Sequence, residues 1–298
     1  MLIRDYCLTL LNAFNVVCGA VGRVIQTLPE GGPVWVITSL DDRVYVLRGL
    51  HSEEQIEVYD IDLYRYMHCL TVPGLGHNDA YDIVACGQNN CAYIFDLTHD
   101  SVHRVAVYRS AGDAPAVTQW PVNDRPALLS LTYTHGVLVS CWTVRKIKEF
   151  NGTNGQLLHV LTLQDVVTPR HAIQLSSGQF LVCAPGDPLH PVCVTSSDGS
   201  VVKSFGEPNG PSSQQMNLPF QMAVDRNGFV FVVHQHSHRV SLLSPRLTSV
   251  RDVVSRDDLS WLPTRVHLDS DRGRLYVCMY DENRDGNLSA GRVVVVSV

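Results

Sequence analysis

Lysine is nearly missing from this 298-residue chain. Only Lys146, Lys148 and Lys203 occur, and 23 Lys+Arg against 29 Asp+Glu leave a formal net charge of −6. That balance argues against a whole-surface footprint for nucleic acid, which needs a cationic face to displace counterions from phosphate. No run of roughly 18 apolar residues is free of polar breaks, so no membrane span is expected. A glycine-rich phosphate loop and a Gly-x-Ser-x-Gly elbow are missing too. No motif therefore nominates a nucleophile, and no cofactor is expected. The nine cysteines form no zinc-ribbon spacing. Cys141, Cys183 and Cys278 lie near the ends of apolar runs and read as small buried hydrophobes in a reduced chain. Cys86 and Cys91, in "CGQNNC", flank a four-residue turn, where a hairpin disulfide is the alternative.

What the chain does have is valine-rich, strand-like runs in a repeat. Six segments share one layout, an apolar run, a tight polar turn and a stronger apolar run, starting at Pro33, Asp79, Pro126, Pro169, Pro219 and Pro263. Their starts lie ~45 residues apart, the period of a four-stranded propeller blade. Proline, with no N–H to donate, suits the entry to a first strand. Third and fourth strand-like runs follow in most units. The sixth stops at its third, "GRVVVVSV", and "GRVIQTL" (22–28) near the other terminus supplies the missing strand. Residues 22–298 thus read as one all-β, six-bladed propeller, closed by an N-terminal strand that completes the last blade. Residues 1–21 stay unassigned: an extra strand, a leader, or the remnant of a larger chain. A cytoplasmic location is favoured, with secretion the alternative if 1–21 act as a signal. Only in that case would Asn151 and Asn287, both in Asn-x-Ser/Thr, carry glycans.

"LPFQMAVDRNGFVFVVHQHSHRVSLLSP" (218–245), "CAYIFDLTHDSVHRVAVY" (91–108) and "RLYVCMYD…GRVVVVSV" resemble the NHL-repeat family in blades five, two and six. The resemblance implies a non-catalytic recognition scaffold. It also implies aspartate–arginine pairs clamping second to third strands, here Asp96 with Arg104 and Asp281 with Arg292. It aligns His238 and Arg239 with His103 and Arg104, and places His234 where other blades keep aspartate.

Three readings of function follow. The first is a monomeric, non-catalytic scaffold that binds a protein or peptide on its loop-rich rim, through Trp35, Trp120, Asn123, Asp124, Arg125, Trp261 and Arg265. The second is single-stranded RNA binding by the one basic-aromatic patch, Trp142, Arg145, Lys146 and Lys148. The third is a metal-dependent hydrolase or lyase in the central channel, which first strands line with Asp82, His171, Gln174, Gln221, Asp225, Arg265, His267 and Asp269. The balance favours a non-enzyme. His234, His236 and His238 resemble zinc ligands, but the loop they span breaks the alternation a shared face needs. Asp281, Asn283 and Asp285 match the start of a calcium loop, whose twelfth position is Arg292 rather than a bidentate Glu.

Overall fold

The computed structural model describes residues 23–28, 34–48, 55–70, 72–75, 80–107, 117–206, 218–247, 250–257, 259, 261–282 and 288–298. Their strands form six four-stranded antiparallel sheets, the blades of a propeller. Blade one is β2 (Val34–Leu40), β3 (Arg43–Arg48), β4 (Gln55–Asp60) and β5 (Tyr66–Leu70). Blade two is β6 (Ala80–Cys86), β7 (Cys91–Asp96), β8 (Ser101–Ala106) and β9 (Val117–Pro121). Blade three is β10 (Pro126–Leu131), β11 (Val137–Cys141), β12 (Lys146–Phe150) and β13 (Leu157–Thr162). Blade four is β14 (His171–Gln174), β15 (Phe180–Cys183), β16 (Val192–Thr195) and β17 (Val201–Phe205). Blade five is β18 (Pro219–Val224), β19 (Val230–His234), β20 (Arg239–Leu243) and β21 (Val250–Val254). Blade six joins β22 (Leu262–Asp269), β23 (Arg274–Glu282) and β24 (Leu288–Ser297) to β1 (Arg23–Thr27). The pairing Val24↔Val296 closes the ring.

The sequence builds each hairpin in the same way. The turn from first to second strand holds one residue at positive φ in every blade: Asp41, Asn90, His135, Gly178, Gly228 and Gly273. Asp, Asn and His tolerate that region better than other side chains, and glycine enters it freely. Second strands are covered on both faces, as in β7, where every residue of "CAYIFD" is buried. That explains their unbroken apolar character. Fourth strands lie at the outer edge, and β13 leaves Leu157, Leu158 and Val160 exposed.

The core is divided among the blade interfaces. Six apolar clusters fill the six junctions between neighbouring blades. Val36, Tyr45 and Ile94 pack between blades one and two, and Leu28, Ile37, Tyr276 and Val295 between six and one. Each fully buried Val or Leu contributes roughly 1.5–3 kcal/mol relative to exposure, so ring closure rests on this repeated apolar wedge. No helix among the described residues is long and apolar enough to cross a membrane. Residues 1–21 lie outside the described residues.

Candidate active site in the central channel

The first strand of each blade is an edge strand, so half of its backbone groups lack a ladder partner. Side chains from neighbouring first strands supply many of the missing partners. Thr38 Oγ1 accepts from Ala85 N at 3.2 Å, and Asp82 Oδ2 from Leu129 N at 2.7 Å. Ser130 Oγ donates to Ala172 O at 2.5 Å. Gln174 Oε1 accepts from Tyr133 N at 3.2 Å, Gln221 Oε1 from Val266 N at 2.9 Å, and His267 Nε2 from Ser39 N at 3.0 Å. Most of the expected channel residues are therefore stitches between blades. Asp225 and Asp269 sit at the hairpin turns instead, where their carboxylates accept backbone N–H groups two to four residues on.

A second set, at the end where the connections between blades enter, does more than stitch. Arg170 Nη2 donates to the Tyr81 hydroxyl at 2.5 Å, and its guanidinium lies over the Phe220 ring, 3.8 Å from the centroid. Arg265 reaches in from the other side, 4.8 Å from the Phe220 centroid and 5.2 Å from that of Tyr81. Its Nε is 3.9 Å from Asp82 Oδ1. Tyr81, Arg170 and Phe220 are half-buried, while Asp82, His171 and Arg265 are buried. Four blades thus converge on one spot.

The electrostatics are uneven. Two guanidinium groups face one carboxylate. Burial pushes the Asp82 carboxyl up to about 6, against the lowering pull of Arg265 and two backbone N–H groups. Burial would raise the Tyr81 phenol as well, but Arg265 and Arg170 outweigh it and hold the phenol below its usual value. His171 is pushed down to about 3 by burial and by Arg265. It is therefore neutral, and its Nε2–H donates to Leu129 O at 3.3 Å. Its Nδ1, with Arg170 Nε and Arg265 Nε, is buried with no hydrogen-bond partner. Buried polar atoms are seldom left so, and two of these belong to the arginines that face Tyr81, which marks a place built for a polar ligand.

Sequence reasoning found Asp82, His171 and Arg265 but missed Tyr81, Arg170 and Phe220. Arg170 and Phe220 each follow the proline that opens their unit's first run, Pro169 and Pro219, whereas Tyr81 lies two places after the start of its unit, Asp79, so no common position marked the three.

The other expected residues are distributed around the blades, with Asn123 and Arg125 exposed. Trp120 is 5% exposed, packed edge-on against Tyr93 and tilted against Phe150. Gly155 makes room for it, because a Cβ there would stand 2.4 Å from the indole. Trp35 and Trp261 are half-buried in blade-interface clusters, and Arg292 lies over Trp261, 4.5 Å from its centroid. Asn123, Asp124 and Arg125 form a left-handed turn with φ of 58, 65 and 49. Asp124 in that turn binds Lys148 at 3.0 Å and Lys146 at 3.7 Å. Lys148 is 7% exposed and also donates to Val122 O. The proposed RNA patch thus loses two of its three cations to an internal contact, leaving Trp142, 43% exposed, and Arg145 open.

The expected Asp96–Arg104 clamp does not form. Asp96 is held by the Thr98 and His99 N–H groups and by the His99 and His103 rings, while Arg104 donates to Asn89 O. The ladders pair Asp96 with Ser101 and His234 with Arg239, so Arg239 matches Ser101 rather than Arg104, and His238 falls in the turn. His234 is buried and pushed down to about 3 by burial and Arg239, whereas His236 is exposed. Among the described residues no group of three or more His, Cys, Asp or Glu is placed to hold a metal ion. Asn283, Asp285, Asn287 and the side chain of Asp281 lie outside the described residues. Cys86 and Cys91 are register partners and free thiols.

No protein-family model matches the chain, nor does any curated protein. The likeness to the NHL family therefore reduces to the six-bladed architecture itself. Solved structures share that architecture. Virginiamycin B lyase from Staphylococcus aureus superposes with a TM-score of 0.58 at 8% identity, over 92% of this chain and 100% of its own. The PQQ-bound aldose sugar dehydrogenase of Streptomyces coelicolor gives 0.64 at 11%, over 93% and 97%. Kuenenia stuttgartiensis hydrazine synthase gives 0.56 at 13%, over 87% and 95%. Identities this low speak for the fold. They also overturn the leaning toward a non-catalytic scaffold, since lyases, a dehydrogenase and a synthase are built on this frame. The ionisable cluster inside the channel agrees with that correction.

Proposed function

We propose that the channel mouth binds a small anionic molecule and moves a proton on it, in a lyase-type reaction. One observation carries this reading: Arg170 and Arg265 converge on Tyr81 and Phe220 with a single carboxylate between them. Guanidinium groups are suited to carboxylate or phosphate oxygens, which they bind in fork geometry. Phe220 offers an apolar face against which the rest of the molecule lies. Tyr81 is the proton-transfer group, because a phenol whose pKa is lowered by two cations gives up and regains its proton more readily. Asp82 is a positioning residue that restrains Arg265. The names of the virginiamycin B and streptogramin B lyases describe those proteins; they agree with the reaction class and leave the substrate open.

The test is calorimetric titration of a panel of mono- and dicarboxylates and phosphate esters. Arg170→Gln and Arg265→Gln are each expected to weaken the best binder by about tenfold or more, as loss of a charge-assisted bond of about 1.5–3 kcal/mol implies. Incubated in D₂O, that binder should take up deuterium with wild-type protein and fail to do so with Tyr81→Phe at unchanged affinity. If no anion binds, or binding is untouched in both arginine variants, the reading fails.

A further inference from the structure

At the opposite, hairpin end of the channel, Ser39 of β2 meets His267 of β22 across the junction of blades one and six. We propose that Ser39 is a nucleophile activated by His267, and that small activated carboxylic esters acylate it. The site shares no residue with the arginine cluster and stands independently of the function proposed there.

The argument starts from the proton positions. The Ser39 hydroxyl lies 2.7 Å from His267 Nε2. Ser39 N also donates to that nitrogen, at 3.0 Å. A backbone N–H only donates, so Nε2 carries the lone pair and the neutral ring keeps its proton on Nδ1. That is the tautomer a general base requires, with the serine O–H aimed at it. Burial pushes His267 down to about 4, so the ring is in its neutral form at ordinary pH. The ring packs against Tyr276, with centroids 5.9 Å apart, which limits its rotation. Ser39 and His267 are both half-buried on channel-lining strands, so the pair is open to a small molecule.

Neighbouring hydroxyls show what a merely structural group does. Thr38, buried next to Ser39, accepts a backbone N–H, and Ser130 donates to a carbonyl. Neither is turned toward a base. Ser204 lies 2.5 Å from His190 Nδ1, and it serves as a built-in comparison, since no second donor to that nitrogen sets the tautomer.

In the step itself the Ser39 O–H bond breaks and its proton passes to His267 Nε2. Oγ forms a bond to the ester carbonyl carbon, and the alcohol leaves with the proton from Nε2. Water then reverses the sequence, releasing the acid and restoring the serine. A fluorophosphonate probe follows the first half, forming an Oγ–P bond and expelling fluoride.

The experiment is intact-mass and peptide mapping of the full chain after treatment with a fluorophosphonate, together with hydrolysis of p-nitrophenyl acetate. One label per chain is expected, on Ser39. Ser39→Ala should abolish it, and His267→Asn should slow it about 100-fold with the circular dichroism spectrum retained. Should His267→Asn not fold, the pH profile of wild-type labelling decides: the rate should follow the neutral imidazole, rising through about pH 4 and flat above about 5. No label, a label on Ser204 or elsewhere but not on Ser39, or a rate that follows a base near pH 6.5 would overturn the proposal.

Discussion

At one end of the channel two arginines, a phenol and a buried carboxylate crowd around Phe220, with ring and guanidinium nitrogens left unpartnered. At the other end Ser39 and His267 satisfy each other and carry no net charge. Both ends are built from the same element, the exposed edge of a first strand, and from the same repeat. The difference lies in whether the side chains have more hydrogen-bonding capacity than the neighbouring backbone uses. The mouth has charge to spare and is suited to hold an ion. The hairpin end has none, and its chemistry rests on one polarised hydroxyl.

The largest effect expected from breaking this contrast comes from removing the cation beside Asp82. Arg265→Met leaves that carboxylate, 1% exposed, without its nearest counter-charge, and loss of one partner from a buried pair costs roughly 3–5 kcal/mol. Adding Asp82→Asn should recover most of the loss, because an amide oxygen still accepts from Leu129 N and carries no charge to strand. Chemical denaturation of both variants measures this. Equal stabilities for the single and the double variant would show that Asp82 and Arg265 are not coupled.

The pH dependence of stability sharpens the same contrast, because the two kinds of group titrate in opposite senses. His171 and His234 are depressed to about 3 and His267 to about 4. Their stabilising contribution is complete above the unfolded histidine value of about 6.5 and is lost as the pH falls toward those folded values. Asp82, raised from 3.8 to about 6, acts the other way, and its contribution is complete below about pH 4 and lost as the pH rises through 6. Between about pH 4 and 6 the unfolded chain binds three protons at these histidines while the folded chain binds one at Asp82. Stability should then fall by roughly 3 kcal/mol for each pH unit of acidification. Asp82→Asn removes the opposing group, so its acid slope should be steeper. A shallower slope in that variant would contradict the buried placement of Asp82.

Strand order and the turns were legible because each is local, and ring closure because the sixth unit lacks a fourth strand that the segment near the other terminus supplies. A proline entry, one left-handed residue per hairpin, and an apolar run buried on both faces leave their mark on neighbouring residues. Register was not. "VHRV" and "SHRV" look alike, yet the ladders offset them by three residues. Both turns hold four residues, between Asp96 and Ser101 and between His234 and Arg239, so the turn and not the shared letters sets the register, and an odd shift puts the two arginines on opposite faces. Trp120 was misplaced for a related reason, since the space it fills is opened by Gly155, in another blade. Tyr81, Arg170 and Phe220 come together only when four first strands meet around an axis. That meeting follows from ring geometry, and no spacing along the chain encodes it.

The smallest expected effect separates a stitch from a reactive group at adjacent positions. Thr38→Val keeps the shape of the side chain and removes the acceptor for Ala85 N. A buried N–H left without a partner costs about 1–3 kcal/mol, and a thermal melt should show the loss. Fluorophosphonate labelling of Ser39 and anion affinity at Arg170 and Arg265 should both stay at wild-type values. Ser39→Ala, one residue away, should do the reverse: it keeps the backbone N–H that binds His267, so stability moves by less than for Thr38→Val while labelling disappears. If both substitutions changed stability alone, the hydroxyl of Ser39 would be one more stitch and the hairpin end would have no chemistry of its own.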